Sequence, residues 1–279
     1  MTRHAGLLAV AALVIATGAV SAKAAETEQP PRVKWSFSGP FGVYDVGQLQ
    51  RGLKVYNEVC KACHGMKLVS FGSLAEPGGP GLTPAQATAF AADYQVTDGP
   101  NDQGEMFQRP ARLADHFPSP FANDAAARVA NNGVLPPDLS VIAKARGYER
   151  GFPLFLLDIF TQYQEEGVDY LVALLTGYEE TPPSGFTLLP GLYYNKYFPG
   201  HGIGMPKMLN DGQVSYTDGA AQTADQYAKD IVAFLMWAAE PHLEARKRIG
   251  FQVMVFLVVF TGLMYFTKKK VWSTVEGHA

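Results

Sequence analysis

Both cysteines of this 279-residue chain lie in one pentapeptide, Cys60-Lys61-Ala62-Cys63-His64. On a helical turn, positions three apart share a face and the fourth lies beside them. Two thiols and an imidazole can therefore be presented together. C-x-x-C-H is the attachment spacing for a c-type haem: each thiol adds across a haem vinyl group, and the histidine ligates the iron. A thioredoxin-type redox pair also uses C-x-x-C, but it needs no adjoining histidine, and no βαβ pattern surrounds this one. A zinc centre would need further ligands, and no cysteine remains for it.

A single haem held on both faces needs a second axial ligand. His64 is used, and Met66 is too near to reach the opposite face. Met254 and Met264 lie in a long apolar run; Met1, His4 and His278 lie in the terminal segments. Met106, His116, His201, Met205, Met208, Met236 and His242 remain. Met236 reads as part of a packed helix, and His242 stands just before the apolar run. Met205 sits in Pro199-Gly200-His201-Gly202-Ile203-Gly204-Met205-Pro206, where three glycines and two prolines shape a loop. Such a loop can lay one side chain across a ring face. His201 is the rival, and would give a bis-histidine haem of lower potential. With protein ligands on both sides the iron would have no open site for substrate and should change only its valence, which points to electron transfer and not to catalysis by the chain in isolation.

The elements that position these residues read as helices. Val46–Val59 leads into Cys60, with Asp45 as N-cap, Gln48 as its capping-box partner, and Leu49, Leu53 and Tyr56 on one buried face. Gly52 mid-helix suits a close helix crossing. Pro84–Ala92, Asn123–Asn131, Asp169–Leu175 and Thr223–Ala239 follow. Thr83 caps Pro84 at the first helical position, and Asn123, Asp169 and Thr223 are further N-caps. In the last helix Tyr227, Ile231, Leu235 and Ala238 form one apolar stripe. Only Gly212–Thr217 suggests a short extended piece. With 28 glycines and 19 prolines, the expected fold class is mostly α: a c-type cytochrome domain with long loops, plus one C-terminal transmembrane helix.

Two terminal segments set the domain organisation. Residues 1–24 carry Arg3 and His4, an apolar run, and Ala22-Lys23-Ala24, the pattern of a secretory signal peptide. Ile249–Thr267 is nineteen residues without a charge, bracketed by Arg246-Lys247-Arg248 and Lys268-Lys269-Lys270. That length just spans a hydrocarbon core of about 30 Å. The expectation is a signal peptide (1–24), a periplasmic haem domain (25–248), a transmembrane anchor (249–267) and a cytoplasmic tail (268–279). Haem attachment would account for an exported chain with no other cysteine. The composition, 47% apolar and 18% charged, excludes disorder, and a formal charge of −3 gives no nucleic-acid footprint. The segments outside 25–248 hold five of the 23 basic residues and one of the 26 acids, so the exported part carries −7. Its acids cluster at Asp98/Asp102/Glu105, Glu165/Glu166/Asp169 and Glu179/Glu180, and could steer a basic soluble partner.

The residues around the pentapeptide carry a wider resemblance. Phe41–Asp45, Gln48–Gly52, Val55–Cys60 and Cys63–Lys67 resemble cytochrome c1, the c-type haem subunit of the bc1 complex. So do Ala130–Ser140, Leu174–Tyr178, Tyr193–Gly200 and Phe234–Pro241 running into the anchor. The resemblance implies thioether bonds at Cys60 and Cys63, and His64 and Met205 as axial ligands. It implies Arg146 as partner of a haem propionate, Tyr170 close to the haem, and Asn131, Pro137, Phe198 and Ile203 in its pocket. It also implies one covalently attached haem c, and one electron taken from the Rieske iron–sulfur protein and given to a soluble cytochrome c. The partners would be cytochrome b and a dimeric assembly in a bacterial inner membrane, with the haem domain periplasmic. Some bacterial relatives carry an extra cysteine pair near the methionine ligand, which this chain lacks. A membrane-tethered c-type cytochrome serving a terminal oxidase or photosynthetic reaction centre is the alternative, and a non-haem thiol oxidoreductase a third reading.

Overall fold

The structure, a computed structural model, describes residues 28–147, 157, 158, 163 and 165–276. The segment expected to be a signal peptide lies outside them.

Helix α1 (Val46–Glu58) starts where Asp45 Oδ1 accepts the Gln48 N–H at 2.6 Å, and a 3₁₀ turn (Cys60–Ala62) follows one residue after its end. Helix α2 (Pro84–Ala92) opens with a reciprocal capping box between Thr83 and Gln86. Strands β1 (Gln95–Asp98) and β2 (Phe107–Pro110) form an antiparallel hairpin with Gln95 opposite Pro110. Helices α3 (Asp124–Ala130), α4 (Ile142–Ala145) and α5 (Glu166–Thr176) follow. A two-residue pair, β3 (Tyr193–Tyr194) with β4 (Gly202–Ile203), then precedes α6 (Ala224–Ala239) and the 34-residue α7 (Leu243–Glu276).

The core is built on α1 crossing α6, with α4 and α5 packed on α6. Gly52 makes the crossing possible: a Cβ there would lie 2.2 Å from the Asp230 carbonyl oxygen and 2.5 Å from Phe234 Cβ. Leu49, Leu53 and Tyr56 are buried as their spacing predicts, as are Tyr227, Ile231 and Leu235, while Ala238 is half-buried. Every residue from Asp230 to Trp237 is buried, so α6 is a central helix apolar nearly all round. Asp230 survives there because Arg51 grips it with two nitrogens, Nε to Oδ2 at 2.9 Å and Nη2 to Oδ1 at 3.2 Å. Beneath α1, Tyr56 and Phe71 both pack on Phe117, with ring centroids 5.6 and 4.3 Å away.

Two expectations are corrected. Asp169 is not an N-cap: α5 begins one turn earlier, and Asp169 is wholly buried. Its Oδ1 accepts from the Val33 N–H and Trp35 Nε1, and its Oδ2 from the Tyr163 hydroxyl. The carboxylate ties the segment before α1 to α5, a long-range role that local spacing does not reveal. Gly212–Thr217 forms no strand; its backbone folds as turns around the Tyr227 hydroxyl, which accepts from the Val214 N–H and donates to the Val214 carbonyl. The strands lie instead in β1–β2 and β3–β4.

Helix α7 is long and apolar enough to cross a membrane, and the apolar stretch within Leu243–Ser273 is unburied by the rest of the chain. The helix begins six residues before the expected anchor because Arg246-Lys247-Arg248 continue it into the body. Lys247 Nζ donates to the Phe37 and Gly42 carbonyls, and Glu244 Oε1 accepts the Tyr44 N–H at 2.9 Å.

Candidate haem site

Helix α1 delivers the pentapeptide. The Cys63 and His64 N–H groups both donate to the Cys60 carbonyl, at 3.1 and 3.0 Å, so the two thiols and the imidazole sit on one tight turn. The Tyr56 hydroxyl donates to the His64 carbonyl at 3.1 Å and fastens that turn to α1. Both cysteines are free and partly exposed. As a thiol, Cys60 is pushed up to about 12 by burial, with Cys63 adding to the effect. A disulfide oxidoreductase needs the opposite, a depressed thiol.

The ring of His64 is oriented from the far side of the sequence. Its Nδ1 lies 2.7 Å from the Pro137 carbonyl oxygen, which accepts the Nδ1 proton and leaves Nε2 as the free lone pair. That second contact is what a metal-ligating histidine ordinarily has. Burial lowers the imidazole below its ordinary value, against the upward pull of the Pro137 carbonyl and Asp138, and keeps it neutral for ligation. Residues 137–140 run along the pentapeptide like a brace. Leu139 N–H donates to the Gly65 carbonyl, Lys67 N–H to Asp138 Oδ2, and Leu68 N–H to Ser140 Oγ. Beside them a cavity of about 370 Å³ opens, with Cys63, Gly65, Ala127, Leu135, Pro137 and Asp138 on its walls.

The same loop reaches the Met205 segment. A Cβ on Gly204 would lie 2.5 Å from Val134 Cγ2, so the backbone before Met205 presses on Val134. From Val134 to Pro137 is three residues, at most about 11 Å of chain. One short loop therefore touches the His64 ring with one residue and the Met205 neighbour with another. The Tyr178 hydroxyl donates to the Met205 carbonyl at 3.0 Å. Burial raises the Tyr178 phenol, with Tyr170 adding to it. Burial raises Tyr170 too, partly opposed by the positive charge of Arg146. Tyr178 thus touches the Met205 backbone directly, and the charge of Arg146 is felt at Tyr170. Ile203 is buried on β4 and Phe198 half-buried before it, while Arg146 caps α4 with its guanidinium exposed. Asn131 caps α3 and spends its Nδ2 on the Ala127 carbonyl at 2.7 Å.

The competing ligands are placed elsewhere or engaged. His201, at φ +59°, stacks on Tyr194 at 5.7 Å and meets Phe186 edge-on, with Nδ1 at 3.3 Å from the Asn195 carbonyl oxygen. Met236 is buried in α6, Met106 is exposed beside β2, and His116 and His242 are exposed. Met208 packs against the main core. Tyr178, Asp138 and Ser140 were not singled out by sequence. Their only signal was membership in the matching blocks, because each acts through a tertiary hydrogen bond. The donor set fits a haem: two thiols on one turn, a neutral imidazole aimed by its second nitrogen, and a thioether on a loop braced against the same wall.

The model of the cytochrome C1 family matches residues 35–275. The chain is 61% identical to a cytochrome b/c1 of Bradyrhizobium diazoefficiens over 95% of its own length, and spans 39% of that longer protein. It is 51% identical to cytochrome c1 of Blastochloris viridis, covering 94% of the chain and 93% of that protein. It is 40% identical to cytochrome c1 of Rhodospirillum rubrum, covering 96% and 97%.

Proposed function

The chain belongs to the cytochrome c1 family, the haem subunits of bc1 complexes, and we propose that it carries one haem c and performs the high-potential exit step of quinol oxidation. In this reading it accepts one electron from a Rieske iron–sulfur protein and gives it to a soluble cytochrome c. It does so beside cytochrome b in a dimeric complex of a bacterial inner membrane, with the body on the periplasmic side and α7 as the single span. The first relative's printed name joins b and c1 in one longer protein, which supports the cytochrome b partner.

The observation that carries the reading is the His64 Nδ1 contact to Pro137, because it aims Nε2 from within a C-x-x-C-H turn. When bound, the haem supplies one-electron iron(III)/iron(II) chemistry. Cys60 and Cys63 would hold the ring edge covalently, so the group would not be lost between turnovers. His64 and Met205 would hold the iron and leave it no open position for oxygen or substrate. The thioether of Met205 favours the reduced state and raises the potential. Arg146 offers its exposed guanidinium to a propionate, and buried Tyr170 keeps its hydroxyl protonated beside it. Asn131, Pro137, Phe198 and Ile203 complete the walls.

Purification from native membranes tests this. The expected result is a haem-staining band for this chain on a denaturing gel, together with cytochrome b and an iron–sulfur protein. A haem-stained chain that purifies with a terminal oxidase or reaction centre would overturn the partner assignment.

A further inference from the structure

The ten residues from Trp35 to Tyr44 carry no charge, and their turn presents apolar side chains outward. Phe41 is 71% exposed and Val43 54%, and Val46 at the start of α1 is also exposed. These are not scattered surface residues. Phe41 meets Phe251 of α7 edge to face, with ring centroids 5.4 Å apart. The loop is fastened to the root of that helix through Lys247 Nζ at the Phe37 and Gly42 carbonyls and through Glu244 at the Tyr44 N–H. Its return is tight: Val43 N–H donates to the Ser36 carbonyl, and a Cβ on Gly42 would lie 2.2 Å from the Ser38 carbonyl oxygen. The loop is therefore a built feature, held at a fixed height along α7.

That height is informative. Phe251 stands three residues beyond Arg248, about 4.5 Å along the helix axis. It lies just past the basic triplet and inside the uncharged run. Aromatic rings concentrate at this level of a bilayer, and apolar side chains there gain from burial at the boundary between headgroups and acyl chains. We propose that the 38–43 loop is a second membrane contact, which sets Phe41 and Val43 into the lipid interface beside α7. The proposal rests on the reading that α7 spans a bilayer. Its occupant is phospholipid, since exposed Phe41 joins exposed Phe251 on the unburied surface of α7 and the loop itself carries no charge. Two contact points instead of one would limit how far the body can tilt about its anchor.

The test uses the full-length haem-loaded chain, in phospholipid vesicles and in its native membrane. A nitroxide is attached to one added cysteine in each of F41C, V258C in mid-anchor and V129C on α3, where Val129 is 86% exposed. Collision with oxygen reports lipid, and collision with a nickel chelate reports water. The expected oxygen-to-nickel ratio at position 41 is several-fold above that at 129 and approaches that at 258. V43C gives the same readout if F41C does not fold. A ratio at 41 equal to that at 129, with 258 still in lipid, would overturn the proposal while leaving the anchor intact. A watery 258 would sink the spanning reading and the proposal together. Shielding of position 41 from both reagents in the native membrane would mean that a protein covers the loop, and would also overturn it.

Discussion

His64 and Met205 are 141 positions apart in the chain, yet each is held by a contact that leaves its donor atom free. The Pro137 carbonyl takes the histidine's Nδ1 and the Tyr178 hydroxyl takes the methionine's carbonyl. Neither contact uses Nε2 or the sulfur. Met205→Leu keeps the apolar volume and removes the sulfur, so the haem should stay on the chain through a denaturing gel. Its potential should fall by at least about 59 mV, tenfold in a one-electron equilibrium. An unchanged redox titration would hand the ligand role to another residue. His201 would then have to leave its stack on Tyr194, and His201→Leu, not Met205→Leu, would be the variant that shifts the redox titration.

At the scale of elements, the α1–α6 crossing and the β1–β2 hairpin make separate demands. Gly52→Ala gains about 1 kcal/mol of helix propensity, but its methyl group meets the α6 backbone at 2.2 Å. Overpacking of that kind costs about 1–3 kcal/mol, so thermal unfolding should show a net loss of stability. A gain would mean that α1 can slide away from α6. The hairpin is stapled by Arg109, which bonds Asp98 and holds Asp115 with two nitrogens at 2.6 and 3.0 Å. Hydrogen bonds from Arg109 and from the Arg112 N–H lower Asp115 to about 2, against about 3.9 in an unfolded chain. A depressed carboxylate contributes stability above its unfolded value and loses it as pH falls through the folded one. The protection of the Gln95–Asp98 amides, as exchange relative to the intrinsic rate at each pH, should therefore fall between roughly pH 4 and 2. Asp115→Asn should weaken the hairpin at neutral pH and flatten that acid response.

For the whole molecule, the charge and the anchor can be tested apart. A chain ending at Arg248 keeps the Lys247 and Glu244 contacts to the 37–44 loop and should be released as a haem-bearing soluble domain. A chain ending at Pro241 loses them and should melt at lower temperature; equal melting would make the anchor root dispensable to the fold. Residues 25–248 carry −7, and opposite fields speed encounter without a tight complex. The rate of electron transfer to a basic soluble cytochrome should fall steeply with salt, since the Debye length is about 8 Å at physiological ionic strength. Glu165 is buried, whereas Asp102 and Glu105 stand exposed beyond β1. Neutralising Asp102 and Glu105 should therefore flatten the salt dependence, and neutralising Glu165 should not. The reverse result would place the docking face elsewhere.

What could be read from the chain alone was local. The C-x-x-C-H turn, the Asp45, Thr83, Asn123 and Thr223 caps and the long uncharged run each depend on residues within a few positions of one another. The same holds for the Leu49/Leu53/Tyr56 face, so composition and period suffice for all of them. Gly52 as a crossing point was legible because a glycine inside a strong helix needs a packing reason. The rest required atoms brought together from afar. Asp169 looked like a cap because aspartate favours helix starts, but Val33, Trp35 and Tyr163 recruit it into the core. Glu165 looked like part of a surface cluster and is buried. Pro137 was expected only to line a pocket; its carbonyl aims the His64 ring, a role invisible in sequence because every residue has a carbonyl. Side-chain type and spacing decide which groups are able to bind a haem, and only the folded backbone decides which lone pairs are left free to do so.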